Sequence, residues 1–176
     1  MITLITGTMW GGKSTRLAAI RESGVNCDVY LASPKLEGRV GIATHDGGYI
    51  PATEITHYDQ VASPTTGRAI MIDEVQWLPP SLWLWCRDIA QRKWPTDLYL
   101  AGLLHDYQGQ AFSTVAALMP WADKIEICRG RCHRCGETAH HHIRLTGQTE
   151  RYVYSSEVYE LRCHDCVETE EVLRRC

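Results

Sequence analysis

Short, nearly unbroken apolar runs recur along the first three quarters of the chain, each followed by a turn-rich or amphipathic stretch. Ile2 to Thr6 is the first, and a glycine-rich turn leads from it into a helix expected from about Lys13 to Glu22, with Gly24 as its stop. Asp28 to Ala32 and Ala69-Ile70-Met71-Ile72 have the length and continuity of buried parallel strands, the second ending in two acids, Asp73 and Glu74. Between those two runs, residues 33–67 are rich in Gly, Pro, Thr and Ser, which predicts a surface excursion around a weak strand or two. Pro79-Pro80 predicts the start of a tryptophan-rich helix through about Arg92, with proline in the first turn, and Asp97 to Gly102 reads as a further buried strand. This alternation predicts an α/β domain over residues 1–127, a mostly parallel sheet flanked by helices.

The pattern changes near residue 128. Cys, His, Arg and Tyr take over, and the next helix-like apolar stretch is Val167 to Arg175. Residues 128–176 therefore form a second unit, too small to bury a core unaided and in need of a covalent or metal staple.

Composition narrows the function classes. With 176 residues and a net charge of -3, the chain has no surplus of positive charge for a whole-surface affinity for nucleic acid or anionic membrane. No apolar run approaches the roughly 18 residues of a bilayer span. The first residues lack the basic region and small-residue cleavage site of a secretory signal, so a cytosolic location is the expectation. In that compartment eight cysteines favour metal over disulfides, above all because four of them form two Cys-x-x-Cys pairs while Cys27, Cys86, Cys128 and Cys176 are scattered.

Gly7-Thr8-Met9-Trp10-Gly11-Gly12-Lys13-Ser14 fits G-x-x-x-x-G-K-[ST] without a mismatch. Glycines let the backbone curl so that successive N–H groups face phosphate oxygens, and the following helix adds its positive dipole end. Lys13 has the reach for β- and γ-phosphates, and the Ser14 hydroxyl suits Mg²⁺. At average residue usage, a random chain of this length would match about 0.6% of the time. The competing reading is a plain glycine-rich turn, but the apolar strand before it and the helix after it fit a phosphate cradle.

An acid at the end of a strand beside such a cradle holds the metal through the Ser or Thr and water, a role that suits Asp73. Glu74, one residue on, projects elsewhere at the carboxyl edge of the sheet, where it could accept a proton from an attacking hydroxyl. Its bland alternative is a solvated loop acid. Cys132-His133-Arg134-Cys135 and Cys163-His164-Asp165-Cys166 predict a tetrahedral four-thiolate zinc site, closed and therefore structural. The long segment between the pairs is then a loop tied at both ends. His133, His140, His141, His142, His164 and Cys128 are rival ligands; the histidine triplet reads instead as a solvated strand or turn.

Together these features resemble the thymidine kinases of the zinc-lasso type, over nearly the whole chain and in the same order. The P-loop resembles that family's G-x-M-[aromatic]-[small]-G-K-[ST]; Thr44-His45-Asp46 matches T-H-D; Asp73-Glu74-Val75-Gln76-Trp77 resembles D-E-x-Q-[aromatic]. Gly102 to Phe112 resembles G-L-x-x-D-[aromatic] with a second Phe beyond, Trp121 to Lys124 follows in place, and Tyr159 to Cys166 matches Y-x-x-x-C-x-x-C. The resemblance implies a P-loop kinase-like fold with a C-terminal zinc-binding lasso, and ATP-dependent phosphorylation of thymidine at its 5′-hydroxyl. It further implies a homotetramer acting on ATP and thymidine; no nucleic-acid or membrane partner is expected, from the charge and the apolar pattern. Glu74 would be the general base, and Ser14 and Asp73 would serve Mg²⁺. Met9, Trp77, Leu103, Tyr107 and Phe112 would wall the nucleoside pocket, Tyr159 would close it, and Arg144 would lie near the substrate. A loop from about Thr146 to Tyr159 would pair its backbone with the base edge.

The chain also departs from the family pattern. Ser155-Ser156 replaces paired lasso glycines, Lys35 to Arg39 is the nearest stretch to a D-x-R-[aromatic] segment, Trp77 exceeds the usual Phe, and His142 stands where a smaller residue is common. Two other function classes compete: a P-loop NTPase whose zinc ribbon grips nucleic acid, and an inactive binding module. Basic residues form no dense stripe for the first, and intact Lys13, Ser14, Asp73 and Glu74 oppose the second.

Overall fold

The structure is a computed structural model that describes residues 1–168 apart from 45–46, 65–66, 92–95, 149 and 154–155. His45 and Asp46 of the T-H-D element, Ser155 and most of the expected terminal helix lie outside the described residues.

In chain order the elements are β1 (Ile2–Gly7), α1 (Lys13–Glu22), β2 (Cys27–Ala32), β3 (Gly41–Ala43), β4 (Tyr49–Pro51), β5 (Thr53–Ile55) and β6 (Ala69–Asp73). There follow α2 (Leu82–Gln91), β7 (Leu98–Leu103), α3 (Ser113–Leu118), β8 (Lys124–Cys128), β9 (His141–Arg144) and β10 (Tyr159–Arg162). Six strands form one sheet in the order β5-β2-β6-β7-β1-β8, every pairing parallel. β3 with β4, and β9 with β10, make two small antiparallel pairs.

The unbroken apolar runs are explained by burial on both sheet faces. Leu4, Ile70, Ile72 and Leu100 pack with Leu82, Cys86 and Ile89 of α2 and with Val115 and Leu118 of α3. Ile5, Met71 and Ala101 point the other way, toward Leu17 and Ile20 of α1. Arg16 of α1 also grips Glu126 of the edge strand β8 at 2.7 Å.

Three expectations change. Pro79 and Pro80 precede α2 rather than entering it; their carbonyls accept from Leu82 and Trp83 N–H and so open the first turn from outside. The excursion over residues 33–67 contains three short strands, and β5 joins the main sheet at its edge. α3 and β8 were not anticipated: α3 has only six residues, and β8 is a short edge strand whose isoleucines, Ile125 and Ile127, are exposed rather than buried in a continuous run. Among the described residues no helix is long and apolar enough to cross a membrane.

Candidate active site

The P-loop leaves β1 at Gly7 and enters α1 at Lys13. A Cβ on Gly7 would lie 1.8 Å from the Cys128 carbonyl oxygen, and one on Gly11 would lie 2.4 Å from it, so β8 forbids side chains at both positions. Gly12 caps the helix at φ 82°, a conformation glycine adopts without strain, and no side chain caps the N-terminus. The first N–H groups of α1 thus have no helical acceptor and face outward as an anion site. Lys13 is buried, and its Nζ donates to the Thr8 carbonyl at 2.6 Å. Burial pushes the Lys13 ammonium below its ordinary value, opposed by the charges of Glu74 and Asp73.

Sequence reasoning put Asp73 on a strand beside the cradle. In the fold β7 intervenes between β1 and β6, yet Ser14 Oγ donates to Asp73 Oδ2 at 2.7 Å because α1 leans across the sheet edge. Asp73 is 1% exposed. Burial first, and then the Glu74 charge, push its carboxyl up to about 6. A hydroxyl and a carboxylate oxygen side by side at the phosphate end form a donor set that fits Mg²⁺.

Glu74 leaves β6 in the left-handed region at φ 61°, unusual for a non-glycine residue. After that turn its side chain lines the cleft. Gln76 Nε2 donates to Glu74 Oε2, while Gln76 Oε1 accepts from Leu103 N–H at 3.0 Å. The β7 backbone therefore dictates which way the Gln76 amide faces, and the amide holds the carboxylate.

Lys13 and Glu74 open onto one cleft of ≈ 360 Å³. Met9, Trp10, Gly12 and Ser14 line its phosphate end; Trp77, Leu103, Tyr107, Phe112 and Tyr159 line the other. Gly7, Thr8, Gly11 and Asp73 are not among the lining residues. Sequence reasoning missed Tyr152, whose ring stacks on Phe112 (5.5 Å, 20°) and meets Trp77 edge-on (5.4 Å, 90°). It also missed Arg151, whose Nε reaches the buried Asp106 carboxylate at 2.7 Å and ties the lasso to the loop after β7. No local signal marks either residue, since each meets its partners only through the long-range fold.

Arg144 does not line the cleft. Its guanidinium lies 3.7 Å over the Tyr107 ring and donates to the carbonyls of Gln148, Glu150 and Arg151 and to Tyr159 Oη. It staples the lasso backbone, engaging each of those carbonyls in a hydrogen bond. The histidine triplet is not uniformly solvated either: His142 is 3% exposed, and its Nε2 accepts from Met9 N–H at 2.9 Å.

The thiols of Cys132, Cys135, Cys163 and Cys166 all lie within 4.8 Å of one another, with 3.6 Å between Cys135 and Cys163. A tetrahedron of thiolates about 2.3 Å from zinc has edges of about 3.8 Å, whereas a disulfide needs about 2.0 Å. Against the desolvation that raises it, backbone N–H groups of Cys163, Cys135 and Arg134 bring the Cys132 thiol to about 6, toward the thiolate a metal requires. The cluster is compatible with structural zinc.

Fold and site define a P-loop α/β protein in which a phosphate cradle and a carboxylate share one cleft beside a cysteine-stapled hairpin. A family model described as Thymidine kinase matches residues 1–167. A thymidine kinase of Halobacterium salinarum is 30% identical over 94% of this chain and 92% of its own length. Thymidine kinases of Pseudothermotoga lettingae (28%, 94% and 93%) and Ureaplasma urealyticum (27%, 93% and 77%) are similar along comparable spans. The chain belongs to the thymidine kinase family, ATP-dependent nucleoside kinases that transfer a phosphoryl group.

Proposed function

We propose that this chain phosphorylates thymidine with ATP, giving thymidine 5′-monophosphate and ADP. The observation that carries the reading is the single cleft shared by Lys13 and Glu74, with an aromatic wall on the side away from the P-loop. The α1 N–H groups and Lys13 hold the triphosphate, and Trp77, Phe112 and Tyr152 offer ring faces to the base. Glu74, steadied by Gln76, takes the proton of the 5′-hydroxyl as that oxygen attacks the γ-phosphorus; the bond to the β–γ bridging oxygen breaks and ADP leaves. Mg²⁺ held by Ser14 and Asp73 would supply charge neutralisation at the phosphates. The lasso carries the base edge, with Tyr159 closing over it, and zinc on the four cysteines holds the lasso's ends.

Residues 1–127 act as the ATP-binding unit and 128–176 as the lasso unit in this reading. The family resemblance supports a homotetramer, while the charge and the sequence start support a cytoplasmic enzyme without nucleic-acid partners. The P-loop NTPase alternative is not favoured by the family match.

The test is a panel of nucleosides offered as acceptors from γ-labelled ATP, with wild type beside Glu74→Gln. Thymidine should be labelled, and the variant should lose about 10²–10⁴-fold in kcat while still binding nucleoside. Full activity of the variant removes Glu74 from the chemistry, and label released only as phosphate in the presence of DNA points to the NTPase.

A further inference from the structure

β9 lies between the zinc knuckles and the lasso, paired with β10 so that His142 sits opposite Leu161, two residues before Cys163. The staple thereby fixes the depth of His142. Its Nε2 accepts from Met9 N–H, and its ring packs 4.9 Å from that of His105, whose Nδ1 meets the Asp106 carbonyl at 2.9 Å in the loop after β7. Acceptance at Nε2 assigns the ring proton of the neutral imidazole to Nδ1. The imidazole thus lies between the P-loop, which it hydrogen-bonds, and His105 across the cleft, against which it packs.

The peptide that His142 grips has a second end. Its N–H belongs to Met9 and its carbonyl to Thr8, and in a trans peptide the two point in opposite directions. That Thr8 carbonyl is the oxygen that holds Lys13 Nζ at 2.6 Å. Pinning one end of the plane aims the other. Gly130 N–H adds a second restraint from the same side, donating to Thr8 Oγ1 at 2.8 Å.

We infer that His142 is a positioning residue for phosphoryl transfer: as a neutral acceptor it sets the Thr8–Met9 peptide and, through it, the resting place of the Lys13 ammonium. The inference rests on the kinase reading for its role in turnover, while its effect on nucleotide binding stands independently. A smaller side chain at this position would leave the Met9 N–H without this partner. An imidazolium would turn a donor onto a donor and place a cation near Lys13.

The experiment compares His142→Gln, whose amide oxygen reaches about as far as imidazole Nε2, with His142→Asn, one methylene shorter. Calorimetric titration with Mg·ATP and with thymidine separately, steady-state kinetics and melting temperatures are recorded for both. His142→Asn should weaken ATP about ten-fold, the effect of one lost hydrogen bond in a buried site, and lower kcat. Thymidine affinity should change less, and His142→Gln should recover to within about three-fold of wild type. Equal losses for both ligands in both variants, tracking only the melting temperature, would reduce His142 to a packing residue and overturn the proposal. Wild-type ATP affinity in His142→Asn would overturn it as well.

If neither variant folds, imidazole ¹⁵N shifts of the wild type decide. An Nδ1-protonated tautomer is expected, and an Nε2-protonated one is fatal. The groups facing the ring in that titration are His105, Lys13 and Asp106. Failure of the kinase reading would show itself differently, as ATP binding that obeys the His142 pattern while no nucleoside is phosphorylated by wild type.

Discussion

Gln76 offers the sharpest structural perturbation, because its amide is committed at both ends. It is 6% exposed, with Oε1 on Leu103 N–H at 3.0 Å and Nε2 on the Glu74 carboxylate. Gln76→Ala leaves a buried backbone N–H unpaired, at a cost of about 1–3 kcal/mol, and removes a charge-assisted bond worth about 1.5–3 kcal/mol in place. Not all of that reaches stability, since Glu74 opens to the cleft and water can replace the donor. A net loss of about 2 kcal/mol is expected, or roughly 4–8 °C in melting temperature for a domain of this size. The kinetic effect is separate. Glu74 already sits at φ 61°, so without the amide its carboxylate samples other directions, and kcat should fall about 10–100-fold with thymidine KM changing by less than about three-fold. Urea unfolding and steady-state kinetics of Gln76→Ala beside Gln76→Glu would check both numbers. Gln76→Glu should be worse on kcat, because it sets a second carboxylate against Glu74. Wild-type kcat in Gln76→Ala would refute the claim that the amide orients the base.

Zinc removal should reach further than the lasso. A lasso that served only the nucleoside end of the cleft would make chelation weaken nucleoside binding more than ATP binding. The P-loop, however, is bonded to Cys128, Gly130 and His142 on the stapled side, so ATP affinity should fall within a few-fold as much as thymidine affinity. Unchanged ATP affinity after chelation, read by calorimetry, would contradict this. The pH dependence of stability should differ between wild type and His142→Gln. Desolvation first, then the charges of His105 and Lys13, lower the His142 pKa to about 4, so the ring is neutral in both folded and unfolded chains above about 6.5. As pH falls from 6.5 toward 4 the unfolded chain gains a proton that the folded one refuses, and up to about 3 kcal/mol of stability is lost. Asp73, raised to about 6, titrates with the opposite sign in an overlapping window, so the informative quantity is the difference between the two proteins. Parallel stability curves across pH 4–6.5 would show that His142 does not titrate as stated.

The strands that carry the phosphate cradle and the acid pair were legible because both sheet faces are buried, which forces unbroken apolar runs that no surface element shows. The cradle was legible too, since its chemistry is local: consecutive residues supply the glycines, the lysine and the hydroxyl. Cys132, Cys135, Cys163 and Cys166 announced a staple by spacing alone. What the chain order could not reveal is which distant groups meet. β7 inserts between β1 and β6, yet α1 still carries Ser14 to Asp73; the lasso brings Tyr152 onto Trp77 and Phe112 and Arg151 onto Asp106; Arg144 turns to the lasso backbone instead of the cleft; and His142, read along the chain as a solvated histidine, is buried against Met9. The Arg144 bonds are local, but the other contacts span sequence separations over which hydrophobic period carries no information, and only closure of the sheet and the hairpin sets their distances.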